Sequence, residues 1–240
     1  MNDIIQSLWI GDKMSNVEKL CINSYVKNGH DFHLYAYNNI EGVPDGCIIK
    51  DASEILPKED IFAYNVGIGK GSYSAFSNYF RYKLLDSKGN WWTDTDIICL
   101  KKIDLKDDFV FASEKTSDGE THITSGIIKS PPKTKFSRFC YDFCKQQNKE
   151  TLQWGTVGPK LVKKAVLDLG LSNYVKPWEF FNPIGFEQVG MLFDETFGDM
   201  NLTNSYTIHL WSEMWRRCNI DKNKKYDDNC LFEKLKKKYL

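Results

Sequence analysis

Apolar residues along the chain fall into short runs of strand length, separated by stretches with helical spacing. Ile4 to Ile10 is the first such run. Ser15 followed by Glu18 forms a capping box, which predicts a helix through Leu20, Ile22 and Val26 that stops near Gly29. Phe32 to Tyr37 reads as a second strand, and Cys47 to Ile49 as a short third run. Asp51 with Glu54 then looks like another helix start. This alternation favours an α/β fold with a mixed, mostly parallel central sheet flanked by helices.

Residues 67–72 form a glycine-rich loop ahead of a helix. They lack full phosphate-loop spacing and follow no clear strand, so a phosphate cradle and a plain connection both stay open. The helix from Tyr73 to Asp86 sets Phe76, Tyr79, Phe80 and Leu84 on one face. Ser77, Asn78 and Arg81 form a polar strip that is either a solvated face or part of a site. Asn90 to Leu100 is a strand with an acidic interruption, and Phe109–Ala112 and Ile123–Ile128 are further strands. A helix follows Pro131 and Pro132, and another opens at Gly158-Pro159. A last strand is expected within Ser205–Trp211, and a Lys-rich helix over Leu231–Leu240.

Lys+Arg and Asp+Glu both count 32, so nothing marks a nucleic-acid binder, which would carry a basic excess. No stretch approaches the roughly 18 apolar residues of a membrane span. The first residues lack the positive charge and apolar core of a secretion signal. Seven scattered cysteines, an odd number, read as reduced thiols, so the expected location is cytoplasmic. Cys140 and Cys144, four apart on a helix, either share a metal or simply pack. The terminal lysines beside Leu231, Phe232, Leu235 and Leu240 suit either a solvated helix or peripheral contact with an anionic inner membrane face.

The chemistry concentrates in Trp91-Trp92-Thr93-Asp94-Thr95-Asp96-Ile97-Ile98-Cys99-Leu100. Asp-x-Asp alone is weak evidence. In an extended segment, however, residues two apart point the same way, so Asp94 and Asp96 converge beside apolar neighbours. Two such carboxylates repel and lose hydration unless a cation neutralises them, and hard oxygen donors suit Mg²⁺ or Mn²⁺. Relieving this repulsion is expected to leave a metal-free protein no less stable. Aspartates capping a strand end are the plain alternative. Two chemistries fit a metal site: an aspartyl phosphatase of the haloacid dehalogenase type using Asp94, and nucleotide-sugar transfer. A non-catalytic carbohydrate-binding module is a third reading.

The segment Ser77 to Leu100 resembles the glycosyltransferase family named for its sugar-binding region with a DXD motif. That family holds capsular and lipopolysaccharide transferases, α-1,6-mannosyltransferases and α-1,4-galactosyltransferases, and the clostridial glucosylating toxins are distant relatives. Weaker matches lie in order at Trp9-Ile10-Gly11, Cys21-Ile22-Asn23-Ser24, Gly158-Pro159, His209 and Trp211, so the likeness spans residues 1–240 as one domain. The resemblance implies a GT-A-type nucleotide-binding sandwich and a metal-dependent, retaining transferase. Its donor would be a nucleotide sugar, most simply a UDP sugar, and its acceptor a saccharide or lipid-linked glycan of a surface polysaccharide.

Carried over by position, Trp9 would stack on the base, with Ile10 and Gly11 beside it. Asp94, Asp96 and His209 would hold Mn²⁺ or Mg²⁺. Ser77, Asn78, Arg81 and Thr95 would face the donor, and Trp211 would belong to a flap over it. Arg81 joins the two aspartates as a catalytic candidate. Glu114, Ser125 and Gly158 would line the acceptor side. The chain departs from the family at Asn78, where an aspartate is usual, and at Gly89-Asn90, where Gly-Gly is usual. The first loses a charge-assisted bond, and the second is mild because Asn tolerates positive φ.

Overall fold

The computed structural model describes residues 3–240. Its elements run β1 (Ile4–Trp9), α1 (Asn16–Lys27), β2 (Asp31–Ala36), β3 (Cys47–Asp51), α2 (Ser74–Lys88), β4 (Asn90–Thr93), β5 (Ile97–Cys99), β6 (Val110–Lys115) and β7 (Thr121–Ser130). They continue with α3 (Lys135–Lys145), α4 (Pro159–Asp168), α5 (Trp178–Phe181), β8 (Thr207–His209), α6 (Ser212–Arg217) and α7 (Leu231–Tyr239).

Six strands form one sheet in the order β3-β2-β1-β4-β7-β6. The first four are parallel, and β7 runs antiparallel to both β4 and β6. Side chains alternate across it with the period of two that strands impose. Trp91, Ile127, Val110 and Phe32 join one core, and Trp92, Ile128, Phe111 and Tyr35 join the other. Phe76, Phe80 and Leu84 of α2, with Phe136 of α3 and Leu161 of α4, pack the second face; Ile22 and Tyr25 of α1 pack the first. The α/β layers expected from the sequence are therefore present.

Local chemistry sets the helix ends. The Ser15 hydroxyl accepts from Val17 N while Glu18 accepts from Ser15 N, closing the capping box over α1. After α2 the chain turns through Gly89 and Asn90, both at positive φ (65° and 70°). A Cβ at Gly89 would lie 2.6 Å from Pro132, so glycine is required there, whereas Asn is tolerated next to it.

One expectation is corrected and two open readings are narrowed. Asp51 caps a single 3-10 turn at Ala52–Glu54, not an α-helix. The amides of Lys70, Gly71 and Ser72 are spent on Gly67, Tyr64 and Gly69 carbonyls, so these three are not free to cradle a phosphate. Cys140 is buried and Cys144 half-buried, and burial pushes both thiols up, Cys144 to about 12; they pack. The apolar face of α7 (Leu231, Phe232, Leu235, Tyr239) is turned inward, in one cluster with Val17 and Leu20 of α1. Lys234, Lys236 and Lys237 pair with Asp199, Glu233 and Asp228. Membrane contact by that apolar face would require unpacking it. Among the described residues no helix is long and apolar enough to cross a membrane.

Candidate functional site

Strand order reverses between β1 and β4, so the crevice outside their carboxyl ends is where an open α/β sheet leaves room for a ligand. Trp9 ends β1, and Asp94-Thr95-Asp96 follows β4 directly. The motif is not an extended segment. Thr95 and Asp96 form a turn that carries the chain from the large sheet into β5, which pairs antiparallel with β8 in a separate two-stranded sheet. The carboxylates nevertheless converge, because β5–β8 pairing sets Ile97 opposite His209. One ligand atom each from Asp94, Asp96 and His209 lie within 4.8 Å of one another.

Asp94 is held from the large sheet and α2. Its amide donates to Gly126 O, 2.9 Å away, which extends the β4–β7 ladder by one step. Its Oδ1 accepts from Arg81 at 2.5 Å and from Trp92 Nε1 at 2.9 Å. Arg81 is buried. It also donates to Asn78 Oδ1 and to the Ser125 carbonyl, and its guanidinium lies 4.7 Å from the Trp92 ring centroid. The polar strip of α2 is therefore no solvated face: Asn78 and Arg81 point inward, and Ser77 is half-buried beside them. A Cβ at Gly158 would lie 3.3 Å from the Asn78 side chain and 3.5 Å from Ser125 Oγ, so this glycine closes against both.

Asp96 is held from the other side. Its Oδ1 lies 3.2 Å from His209 Nε2, and its Oδ2 accepts from the Ser212 amide at 2.8 Å. Burial works to raise both aspartates. For Asp94 burial prevails over Arg81, with the Asp96 charge adding to it, and its pKa is raised. For Asp96 burial is outweighed by His209 and the Ser212 amide, which hold it well below the usual carboxylate range. Burial disfavours the His209 cation, yet Asp96 raises its pKa on balance.

The donor set fits a hard or borderline divalent cation: two carboxylates, one imidazole and no thiolate. Space for it is present as well. A Cβ on Gly126 would stand 3.4 Å from Asp94 Oδ2 and 3.5 Å from His209 Cε1, so the absent side chain leaves that corner open. His209 Nδ1 is buried without a hydrogen-bond partner.

Glu114 is buried on β6, with Oε2 unpartnered and its pKa raised by burial. Trp9 is half-buried with its Nε1 unpartnered, and Gly11, whose φ of 143° favours glycine, lies beside the indole. Ile10 is half-buried against the α2 core, and Thr95 sits half-buried in the turn. Trp211 stacks on His209 at 3.7 Å between ring centroids and donates to the Ile184 carbonyl.

The structure thus gathers Asp94, Asp96, Arg81, Asn78, Ser125, Gly158, His209 and Trp211 through direct contacts. Trp9, Ile10 and Gly11 lie on the neighbouring strand end and share none of this cluster's hydrogen bonds. Three further groups were not read from the sequence. Trp92 carried a signal, being two residues from Asp94 on one strand. Gly126 carried one too, as a lone glycine within a strand pattern, which marks close approach. The Ser212 amide carried none, because only β5–β8 pairing brings it to Asp96.

The arrangement of the chain is similar to that of several solved glycosyltransferases. PaToxG glycosyltransferase is 13% identical over 99% of this chain and 87% of its own, with a TM-score of 0.48. The apo form of GlyE from Streptococcus pneumoniae TIGR4 is 10% identical over 92% and 61%, with a TM-score of 0.46. The galactosyltransferase LgtC, in complex with donor and acceptor sugar analogs, is 13% identical over 86% of each chain, with a TM-score of 0.44. No protein-family model and no curated protein matches the chain. At these identities the likeness concerns the path of the backbone.

Proposed function

We propose that residues 1–240 form one GT-A-type domain that transfers a sugar from a nucleotide sugar, in a metal-dependent reaction that retains the anomeric configuration. The observation that carries this reading is the Asp94–Asp96–His209 triad at the crevice where the sheet reverses order. A cation in the triad would neutralise the diphosphate of the leaving nucleotide. Mn²⁺ suits an imidazole among the donors better than Mg²⁺. The Trp9 ring, on the adjoining strand end, supplies an apolar face for a base, which we read as uracil, with Gly11 beside it.

Arg81 orients Asp94 and supplies its counter-charge, and Asn78 in turn orients Arg81. Ser77 and Thr95 border the donor side. Glu114, Ser125 and Gly158 line the acceptor side, where the unpartnered Glu114 oxygen suits an acceptor hydroxyl. The acceptor hydroxyl attacks on the face the diphosphate leaves, so catalysis is mainly positioning and charge stabilisation. Trp211, stacked on His209, would complete a flap that excludes water from the donor. The acceptor we favour is a saccharide or lipid-linked glycan of a surface polysaccharide, assembled at the cytoplasmic side.

The test is calorimetric titration of UDP with and without Mn²⁺, followed by a screen of UDP sugars for hydrolysis. Binding that needs Mn²⁺ and is abolished by chelator supports the reading. Tight UDP binding in excess EDTA would sink it. Rapid turnover of p-nitrophenyl phosphate without UDP binding would favour the phosphatase.

A further inference from the structure

A second concavity lies on another side of α2. Ala75 and Tyr79, one turn apart, line a cavity of about 170 Å³ whose other walls include Phe62, Val157, Gln147, Lys145 and Lys149. Its charged lining groups are both lysines. Lys149 Nζ sits 5.0 Å from the Phe62 ring centroid, and Lys145 Nζ sits 5.5 Å from that of Tyr141. Tyr79 and Tyr141 stack with their planes 4° apart, and Phe62 meets Phe76 edge-on at 86°. The aromatic walls are thereby held in place before any ligand arrives. In the segments next to the lining residues, Asn65 donates to Glu150 at 2.7 Å, and Tyr64 packs on Trp154 at 5.3 Å.

Flat aromatic walls contact the C–H faces of a sugar ring, the Gln147 amide oxygen is an acceptor for hydroxyls, and the two lysine ammonium groups favour an anionic substituent. The volume is that of about five or six waters, enough for a single hexose ring. The geometry points to a binding site for one pyranose unit bearing a carboxylate or phosphate. It is distinct from the triad but mechanically joined to it. Val157 lines the cavity and accepts from Tyr82 on α2, and the next residue, Gly158, closes on Asn78 and Ser125. If the transferase reading holds, an acidic sugar along the acceptor chain is the natural occupant. The site itself does not depend on that reading.

The experiment uses the full chain in EDTA, so that the triad cannot recruit a metal-bound phosphate. Saturation-transfer NMR is recorded with glucuronate, glucose 6-phosphate and glucose, each at millimolar concentration, and inorganic phosphate is titrated as a competitor of bound glucuronate. Glucuronate and glucose 6-phosphate are expected to bind and to displace each other. Glucose and free phosphate are expected to bind at least about tenfold more weakly, since each keeps only one half of the recognition. The double variant Lys145→Gln/Lys149→Gln, altered only at exposed side chains, is expected to lose glucuronate about tenfold. Asp96→Asn is expected to bind it normally. Unchanged glucuronate binding in the double variant would overturn the proposal, as would glucose binding as tightly as glucuronate or neither anionic sugar binding. Glucuronate binding without Mn²⁺-dependent UDP binding would leave this site standing and remove the transferase reading alone.

Discussion

His209 Nε2 lies 3.2 Å from Asp96 Oδ1, joining the end of β8 to the turn before β5. The Asp96 charge still raises the pKa of Asp94, but each carboxylate of the motif has a partner that opposes the repulsion in the metal-free protein. The Arg81 guanidinium pairs with Asp94 and the His209 imidazole with Asp96.

This pairing reverses an expectation drawn from the two carboxylates alone. Asp96→Asn removes the charge facing His209 and weakens the bond from the Ser212 amide, in a side chain only 15% exposed. The metal-free variant is expected to lose about 1–3 kcal/mol in chemical denaturation, and transfer activity should fall by about two orders of magnitude or more. Unaltered stability would show that the ion pair contributes nothing, and near-normal transfer would remove Asp96 from the ligand set.

Arg81→Gln strands Asp94. A fully buried pair loses about 3–5 kcal/mol when one partner is removed, and the 29% exposure of the Asp94 side chain lowers the expectation to about 2–4 kcal/mol. Denaturant midpoints measure this directly. Part of the loss should return on adding Mn²⁺, because a bound cation restores positive charge next to Asp94. A variant as stable as the parent would mean that Arg81 is not the counter-charge.

Gly126→Ala is a test of space alone. The new methyl would stand 3.1 Å from Ile97 Cδ1 and beside Asp94 Oδ2, in the corner proposed for the cation. Mn²⁺ affinity, followed by water relaxation, should fall about tenfold or more while the fold is kept. Equal Mn²⁺ affinity would place the ion elsewhere.

His30 supplies a pH dependence away from the site. Burial lowers its pKa, with Lys102 adding to the shift, and neutral Nε2 accepts from Ile103 N at 3.0 Å. The unfolded chain therefore takes up this proton first as pH falls. The stabilisation is complete above the unfolded value of about 6.5 and is lost below it, down to the lowered folded value. Thermal midpoints measured from pH 7.5 to 5 should drop, and His30→Gln should flatten that slope. An identical slope in the variant would assign the effect to other groups.

The order of strands and helices could be read from the sequence because it rests on local rules. Apolar runs of strand length marked β4, β6 and β7, the Ser15–Glu18 box marked α1, and Gly89 marked the end of α2. Asp94 and Asp96 stood out for a similar reason: charge beside an apolar strand is costly wherever the chain runs. Which faces were buried could not be read this way. Ser77, Asn78 and Arg81 have the spacing of a solvated strip, and only the approach of Asp94 and the Ser125 carbonyl turns Arg81 inward. Likewise α7 has an amphipathic pattern that would suit a membrane, and its packing beside α1 decides otherwise. The geometry of the motif was also tertiary. Thr95 and Asp96 turn because β5 leaves the large sheet to pair with β8, and that long-range pairing brings His209 and the Ser212 amide to Asp96. Hydrogen bonds between segments distant in sequence carry no local signature, so the elements were legible in the sequence and the assembled site was not.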